Sequence, residues 1–159
     1  MAGKKSNLGH TGKAVSNNVA RLREDQNLTY AELSRRLTDT GAPIPELGLR
    51  NIERGQRKVD VDELVALAAV LNSSPAYLLL PHVDEGDVEV SATGLEQKTA
   101  EQLWHWLRGE GTSEPGSISV APATAGPHWL SSSEQQKMME HAEFLRRLLD
   151  KSGLADGDN

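Results

Sequence analysis

Apolar residues recur at helical spacing through the first half of the chain and lose that rhythm in the second. From Ala14 onward, Val15, Val19 and Leu22 share one face, extended by Gln26, while Arg21, Glu24 and Asp25 point the other way. This predicts a first amphipathic helix, ended by Asn27. Thr29 followed by Glu32 is a capping box, in which each side chain satisfies an orphan backbone N–H of a new helix. Ala31, Leu33, Ser34 and Leu37 supply the inner face of this second helix, and Gly41 can end it at positive φ. Pro43 and Pro45 exclude a helix interior, but Pro45 suits a first helical position because its missing N–H is no loss there. A third helix is expected over 45–54, with Leu49 and Ile52 inward and Gly55 as its stop. Asp60 and Glu63 repeat the capping box. The helix that follows (Val61, Leu64, Val65, Leu67, Ala68, Leu71) is the most hydrophobic of the chain and is expected at the buried centre. Ser74 before Pro75 opens a short fifth helix that Pro81 terminates.

Past Pro81 the pattern thins to one short strand near 87–91 and a helix over 99–108, where Leu103, Trp104, Trp106 and Leu107 offer bulk for packing. The expected organisation is a flexible basic arm over 1–13, a helical domain over 14–81 and a tryptophan-bearing segment over 82–110. A Gly/Ser/Pro/Ala linker over 111–131 follows, with a weak strand candidate at 117–120. An amphipathic helix over 132–153, capped by Ser132 or Ser133, carries Met138, Ala142, Leu145, Leu148 and Leu149 along one face, and an acidic tail closes the chain over 154–159.

Charge changes this picture more than composition does. The chain's net charge of −6 argues against a polyanion partner, but residues 1–81 hold 11 Lys+Arg against 9 Asp+Glu, and residues 82–159 hold 6 against 14. A mildly basic first half joined to a strongly acidic second half assigns any contact with nucleic acid to the first. With no cysteine, disulfide scaffolds, cysteine zinc sites, iron–sulfur clusters and thiol nucleophiles are all excluded. The longest apolar run, 64–71, is far short of the roughly 20 residues that span a bilayer, and no apolar signal core follows the N-terminal lysines. An intracellular, soluble protein is expected.

Catalytic constellations are missing as well. No Gly-rich phosphate loop is present, the stretch around His141 (EHAEF) lacks the spacing that puts two zinc ligands on one helical face, and the five histidines are scattered. Ser117 and Ser119 have no acid or base at a recognisable spacing. The expectation is a protein that is not an enzyme and has no cofactor or metal; no small-molecule pocket is evident.

Three short helices, the second and third joined by a glycine-containing turn, followed by a buried fourth, form the arrangement that lays an exposed helix into the DNA major groove. Here the residues also resemble a known family, the XRE, phage-repressor-like helix-turn-helix proteins. The matching stretches are Leu22-Arg23-Glu24, Leu28-Thr29-Tyr30-Ala31-Glu32-Leu33, LRNIERG at 49–55 and VDELVALAAVLNSSPAYLLLP at 61–81. A subgroup from high-GC Gram-positive bacteria and their phages is most similar, through the tryptophan-bearing segment at 100–109. The resemblance implies a mainly α fold: a five-helix, lambda-repressor-like helix-turn-helix domain, then a small acidic C-terminal region with a linker and a terminal amphipathic helix. One departure is the connection over 38–44, longer than the family's usual tight turn, which can tilt the third helix.

Carried over by position, the residues that resemble the family's base readers are Glu46, Leu47, Arg50 and Asn51. Their chemistry suits the role: arginine can bond guanine O6 and N7, asparagine adenine N6 and N7, glutamate cytosine N4, and leucine can touch a thymine methyl. Against this, Glu46 and Arg50 are four apart and can simply pair on a solvent face. The resemblance gives phosphate contacts to Thr29, Tyr30, Arg54, Gln56, Arg57 and Lys58, although a run as short as Arg57-Lys58 also suits a solvated loop. It places Arg23 and Glu53 as an ion pair between the first and third helices. Lys4, Lys5 and Lys13 could form an arm on DNA, or only solubilise the terminus.

The expected function is a sequence-specific transcriptional regulator, a repressor that reads a double-stranded operator as a homodimer, located in the bacterial nucleoid or a phage-infected cell. The alternative is an antitoxin or other regulator that engages a protein partner through the acidic C-terminal half. The stripe from Met138 to Leu149 serves dimerisation in the first case, or packs back on Trp104 and Trp106 within one chain.

Overall fold

The computed structural model describes residues 8–109. Within them six helices and one small hairpin follow in order: α1 (His10–Asp25), α2 (Tyr30–Asp39), α3 (Glu46–Glu53), α4 (Val61–Val70), α5 (Pro75–Leu79), β1 (Glu89–Val90), β2 (Lys98–Thr99) and α6 (Ala100–Leu107). Residues 8–108 belong to one compact unit. Lys4, Lys5, the 111–131 linker, the 117–120 strand candidate, the helix bearing Met138, Ala142, Leu145, Leu148 and Leu149, and the 154–159 tail lie outside the described residues.

Local chemistry sets the helix starts. Thr29 and Glu32, Asp60 and Glu63, and Thr99 and Gln102 each form reciprocal capping boxes, and Ser74 accepts from the Tyr77 N–H to start α5 with Pro75 at its first turn. Pro45 is the N-cap of α3, just outside the helix. Helix α1 begins at His10, earlier than the periodicity predicts, so Lys13 belongs to the helix and not to an arm. The reason is tertiary: Thr11 N–H donates to Thr93 Oγ1 at 3.3 Å and Thr93 N–H to Thr11 Oγ1 at 2.9 Å, fixing the first turn of α1 to the loop between β1 and β2.

One core joins the first five helices. Val19, Leu33, Leu37, Leu49, Ile52, Leu67, Leu71 and Leu78 are all buried in it, and each large aliphatic side chain taken out of water contributes about 1.5–3 kcal/mol. Leu49 and Ile52 turn α3 inward between α1 and α2. Helix α4 differs from the sequence expectation: Ala66, Leu67, Ala68 and Leu71 are buried, but Val61 and Val65 are exposed. They lie four residues apart, hence on one face, and the core covers only the opposite one. Ala31, expected on the inner face of α2, is also exposed.

The long connection between α2 and α3 is anchored. Ile44 is 1% exposed within the core, and the Ser34 hydroxyl donates to its carbonyl at 2.7 Å. Gly41, at φ +81°, supplies the left-handed residue that turns the chain out of α2.

The tryptophan-bearing segment packs around a second cluster of Val90, Ala100 and Leu103, with Trp106, Leu80 and Val83 against it. The β1–β2 hairpin pairs Glu89 with Thr99 and Val90 with Lys98; β2 carries no alternation in its two residues, and the sequence pattern showed only the first strand. Trp104 lies outside this cluster, edge-on to Tyr77 of α5 at 6.4 Å between ring centroids.

Candidate nucleic-acid interface

Helix α3 has two sides. Leu49 and Ile52 are buried, whereas Glu46, Leu47 and Arg50 are exposed and Asn51 is half-buried. Leu47 is 67% exposed, one of four large apolar side chains open to solvent among the described residues. An eight-residue helix that holds its leucine at 49 in the core and presents the one at 47 to water has an outer face that the core leaves uncovered.

Arg50 is held from two directions. Its Nη2 lies 3.4 Å from Glu46 Oε2, and its guanidinium carbon sits 4.6 Å from the centroid of the Tyr30 ring. The exposed pair with Glu46 contributes little by itself, about 0.3–0.5 kcal/mol, while stacking over an aromatic face limits where the guanidinium can go. Four residues of the outer face thus offer a carboxylate, an apolar tip, a planar five-donor cation and an amide within two turns.

Behind this face, α3 is locked to α1 and α2 through Glu53. Arg23 Nε donates to Glu53 Oε1 at 2.6 Å and Nη2 to Oε2 at 2.9 Å, a two-pronged pair, while Nη1 donates to the Leu28 carbonyl at 3.1 Å. Tyr30 Oη donates to Glu53 Oε2 at 2.7 Å, and its ring lies 4.3 Å from the Arg23 guanidinium carbon. The pair is nearly dry, with 11% and 6% side-chain exposure for Arg23 and Glu53. The hydrogen bond to Glu53 raises the Arg23 pKa further above its ordinary value, assisted by the attraction of the Glu53 charge and opposed by burial. The Tyr30 hydroxyl is likewise raised, first by its hydrogen bond to Glu53 and then by burial. Removing a proton from either group would cost Glu53 one of the donors that face it.

The polar groups around α3 fall into two sets. Thr29 is committed to its cap: its hydroxyl accepts from the Glu32 N–H at 3.2 Å and donates to Glu32 Oε2 at 2.9 Å. Thr29 N–H also donates to Glu32 Oε2 at 3.0 Å, and this backbone bond first, then the one from the hydroxyl, holds the Glu32 carboxyl below its ordinary range. Arg57 is half-buried and pairs with Glu63 at the start of α4, and Tyr30 is engaged as above. Arg54, Gln56 and Lys58 form the second set, exposed after α3, and neither Arg54 nor Lys58 makes an ion pair within the described residues. The loop that carries them is shaped by Asn51, whose carbonyl accepts from the Gln56 N–H at 2.8 Å and the Arg57 N–H at 3.2 Å.

Sequence periodicity missed two buried residues of this domain, Ile44 and Asn18. Ile44 and its bond from Ser34 set the entry to α3; an isoleucine between two prolines in a polar turn was the available signal. Asn18, 1% exposed, donates from Nδ2 to the Leu78 and Leu80 carbonyls at 3.0 and 2.7 Å, tying α1 to the end of α5. Nothing in the spacing distinguishes it from an exposed asparagine.

Among the described residues no cluster of three or more His, Asp or Glu side chains is placed to hold a metal ion, and no helix is long and apolar enough to cross a membrane. No curated protein and no solved structure matches the chain. Residues 19–78, from within α1 into α5, match the helix-turn-helix family model. The match supports an XRE-family helix-turn-helix domain over that stretch and, with it, a DNA-binding transcription regulator.

Proposed function

We propose that the chain represses transcription by seating α3 in the major groove of an operator, with Glu46, Leu47, Arg50 and Asn51 facing the base edges. The observation that carries this reading is the exposed outer face of α3, where a bare leucine stands beside an arginine stacked on Tyr30. A planar, pre-oriented guanidinium suits two-pronged bonding to guanine, and an exposed leucine beside it suits a thymine methyl. Arg54, Gln56 and Lys58 contact phosphates directly. Thr29 and Arg57 contribute through the start of α2 and the loop after α3, and Tyr30 contributes mainly as the support of Arg50, since its hydroxyl proton is held by Glu53. Two copies bind together, because a short operator read twice, about 34 Å apart along the duplex, gains far more selectivity than one half-site.

Position-specific photocrosslinking tests the placement. With Leu47→p-benzoylphenylalanine, irradiation on operator duplex should join α3 to a base, whereas the same change at Val65, exposed on α4, should not. Equal crosslinking from both positions, or none from 47, would remove α3 from the groove.

A further inference from the structure

Away from α3, a cleft of about 620 Å³ opens where α1, α5 and α6 meet the loop after α5. This volume lies in the range of small-molecule sites, roughly 300–1,000 Å³. Its walls are largely apolar and aromatic: Tyr77 and Leu80 from α5 and its end, Val83 from the loop, and Ala100 and Trp104 from α6. Tyr77 and Trp104 meet edge to face, with 85° between their planes.

The rim has one sign of charge. Asp84, Glu85, Asp87 and Glu101 line the cleft, and His82 is the one basic residue among those that do. Asp84, Glu85 and Asp87 are exposed, and none of the three has an ion-pair partner among the described residues. Two arginines that reach the cleft's aromatic walls are engaged there. Arg21 pairs with Asp25 and lies over the Tyr77 ring at 5.5 Å, and Arg108 lies over the Trp104 ring at 5.3 Å. Among the described residues, Arg21 and Arg108 are thus stacked on these two rings, while Asp84, Glu85 and Asp87 have no ion-pair partner.

The loop that carries the acids is held in place. Glu101 N–H donates to the Gly86 carbonyl and Ala100 N–H to that of Val88, both at 2.9 Å, so the first turn of α6 pins the rim. Gly86 permits this approach, since a Cβ there would lie 3.3 Å from that of Glu101.

We propose that this cleft binds a small organic cation: an amine, guanidine or quaternary ammonium on an aromatic or aliphatic body. The body fills the space against Tyr77, Leu80, Val83 and Trp104, and the positive head sits at the acidic rim. An apolar wall alone would accept neutral and anionic bodies equally; the unpaired carboxylates impose the sign. The site is independent of the operator reading, because it shares no residue with α3.

Three probes with one body and different charge test it: 4-phenylbutylamine, 4-phenylbutanol and 4-phenylbutyrate, titrated calorimetrically into the full chain, with the Trp104 indole resonance locating the site. The amine should bind, shift Trp104 and exceed the alcohol by roughly fivefold, the combined effect of a few exposed ion pairs, and the butyrate should bind least. Asp84→Asn/Asp87→Asn, two exposed changes outside the core, should leave the thermal melt in place and bring the amine close to the alcohol. Equal affinity for all three probes, no binding by any at millimolar concentration, or an amine preference untouched by the double variant would each overturn the proposal. So would binding of a lysine-containing peptide without the amine, which would make the occupant a protein.

Discussion

Arg50 rests 4.6 Å from the ring centroid of Tyr30, and the hydroxyl of that same ring is bonded to Glu53, the residue that ties α3 to α1. The orientation of the exposed cation and the internal ion pair therefore share one side chain. Tyr30→Phe should keep the ring under Arg50 but lose the bond to a charged carboxylate, costing about 1.5–3 kcal/mol, with base preference intact in those molecules that remain folded. Tyr30→Ala should lose both, relaxing preference at the base read by Arg50. Urea unfolding and competition with single-base operator variants separate the two effects; identical preference in both variants would mean that the ring does not orient Arg50.

The Arg23–Glu53 pair offers a sharper stability test. Arg23→Ala strands a buried carboxylate and should cost about 3–5 kcal/mol, whereas replacing both partners, as in Arg23→Met/Glu53→Leu, should recover much of that loss. Thermal melts of wild type, the single and the double variant give the answer. A single variant that melts like wild type would show that the pair holds nothing.

Tyr30 also sets an alkaline limit. Its hydroxyl titrates above its ordinary value of 10.0 in the folded chain, so the proton is held more tightly folded than unfolded. That contribution is fully present below the unfolded pKa and is lost as pH rises through the raised folded value. Stability should accordingly fall above about pH 10 in wild type, and less steeply in Tyr30→Phe, as followed by urea midpoints on either side of that pH. Parallel curves would place the dependence elsewhere.

Arg50 and Lys58 should fail in different ways. Arg50→Ala is expected to lose about 1–3 kcal/mol at one base pair, while Lys58→Ala should weaken all duplexes alike and lower the slope of log K against log salt by about 0.9. Binding titrations on matched and scrambled duplexes over a range of salt distinguish them, and equal losses on both duplexes from both variants would contradict the division into base and phosphate contacts.

What the sequence disclosed followed from local chemistry. The Thr29/Glu32 and Asp60/Glu63 capping boxes, and Ser74 before Pro75, mark where helices begin, because the partners lie within three residues of each other. The inward faces of α2 and α3 could be read from Leu33, Leu37, Leu49 and Ile52, which repeat at helical spacing. What stayed hidden depends on residues distant in the chain. The early start of α1 is set by Thr93, 82 positions away from Thr11. The exposure of Val61 and Val65 cannot be read from a helix that is apolar on nearly every side, and the role of Asn18 rests on carbonyls about 60 positions further on. The same limit applies to the site: residue types on α3 were visible, but the support of Arg50 by Tyr30 was not, nor was the cleft beside Trp104, whose walls come from three helices and a loop.

Selection of random duplex DNA by the purified chain at near-physiological salt, run beside the Arg50→Ala/Asn51→Ala variant, tests the central claim most directly. Wild type should enrich an inverted repeat whose half-sites lie about one helical turn apart, and the folded variant should not enrich it. The same sequences recovered by both proteins, or no enrichment by a folded wild type, would contradict operator reading through α3.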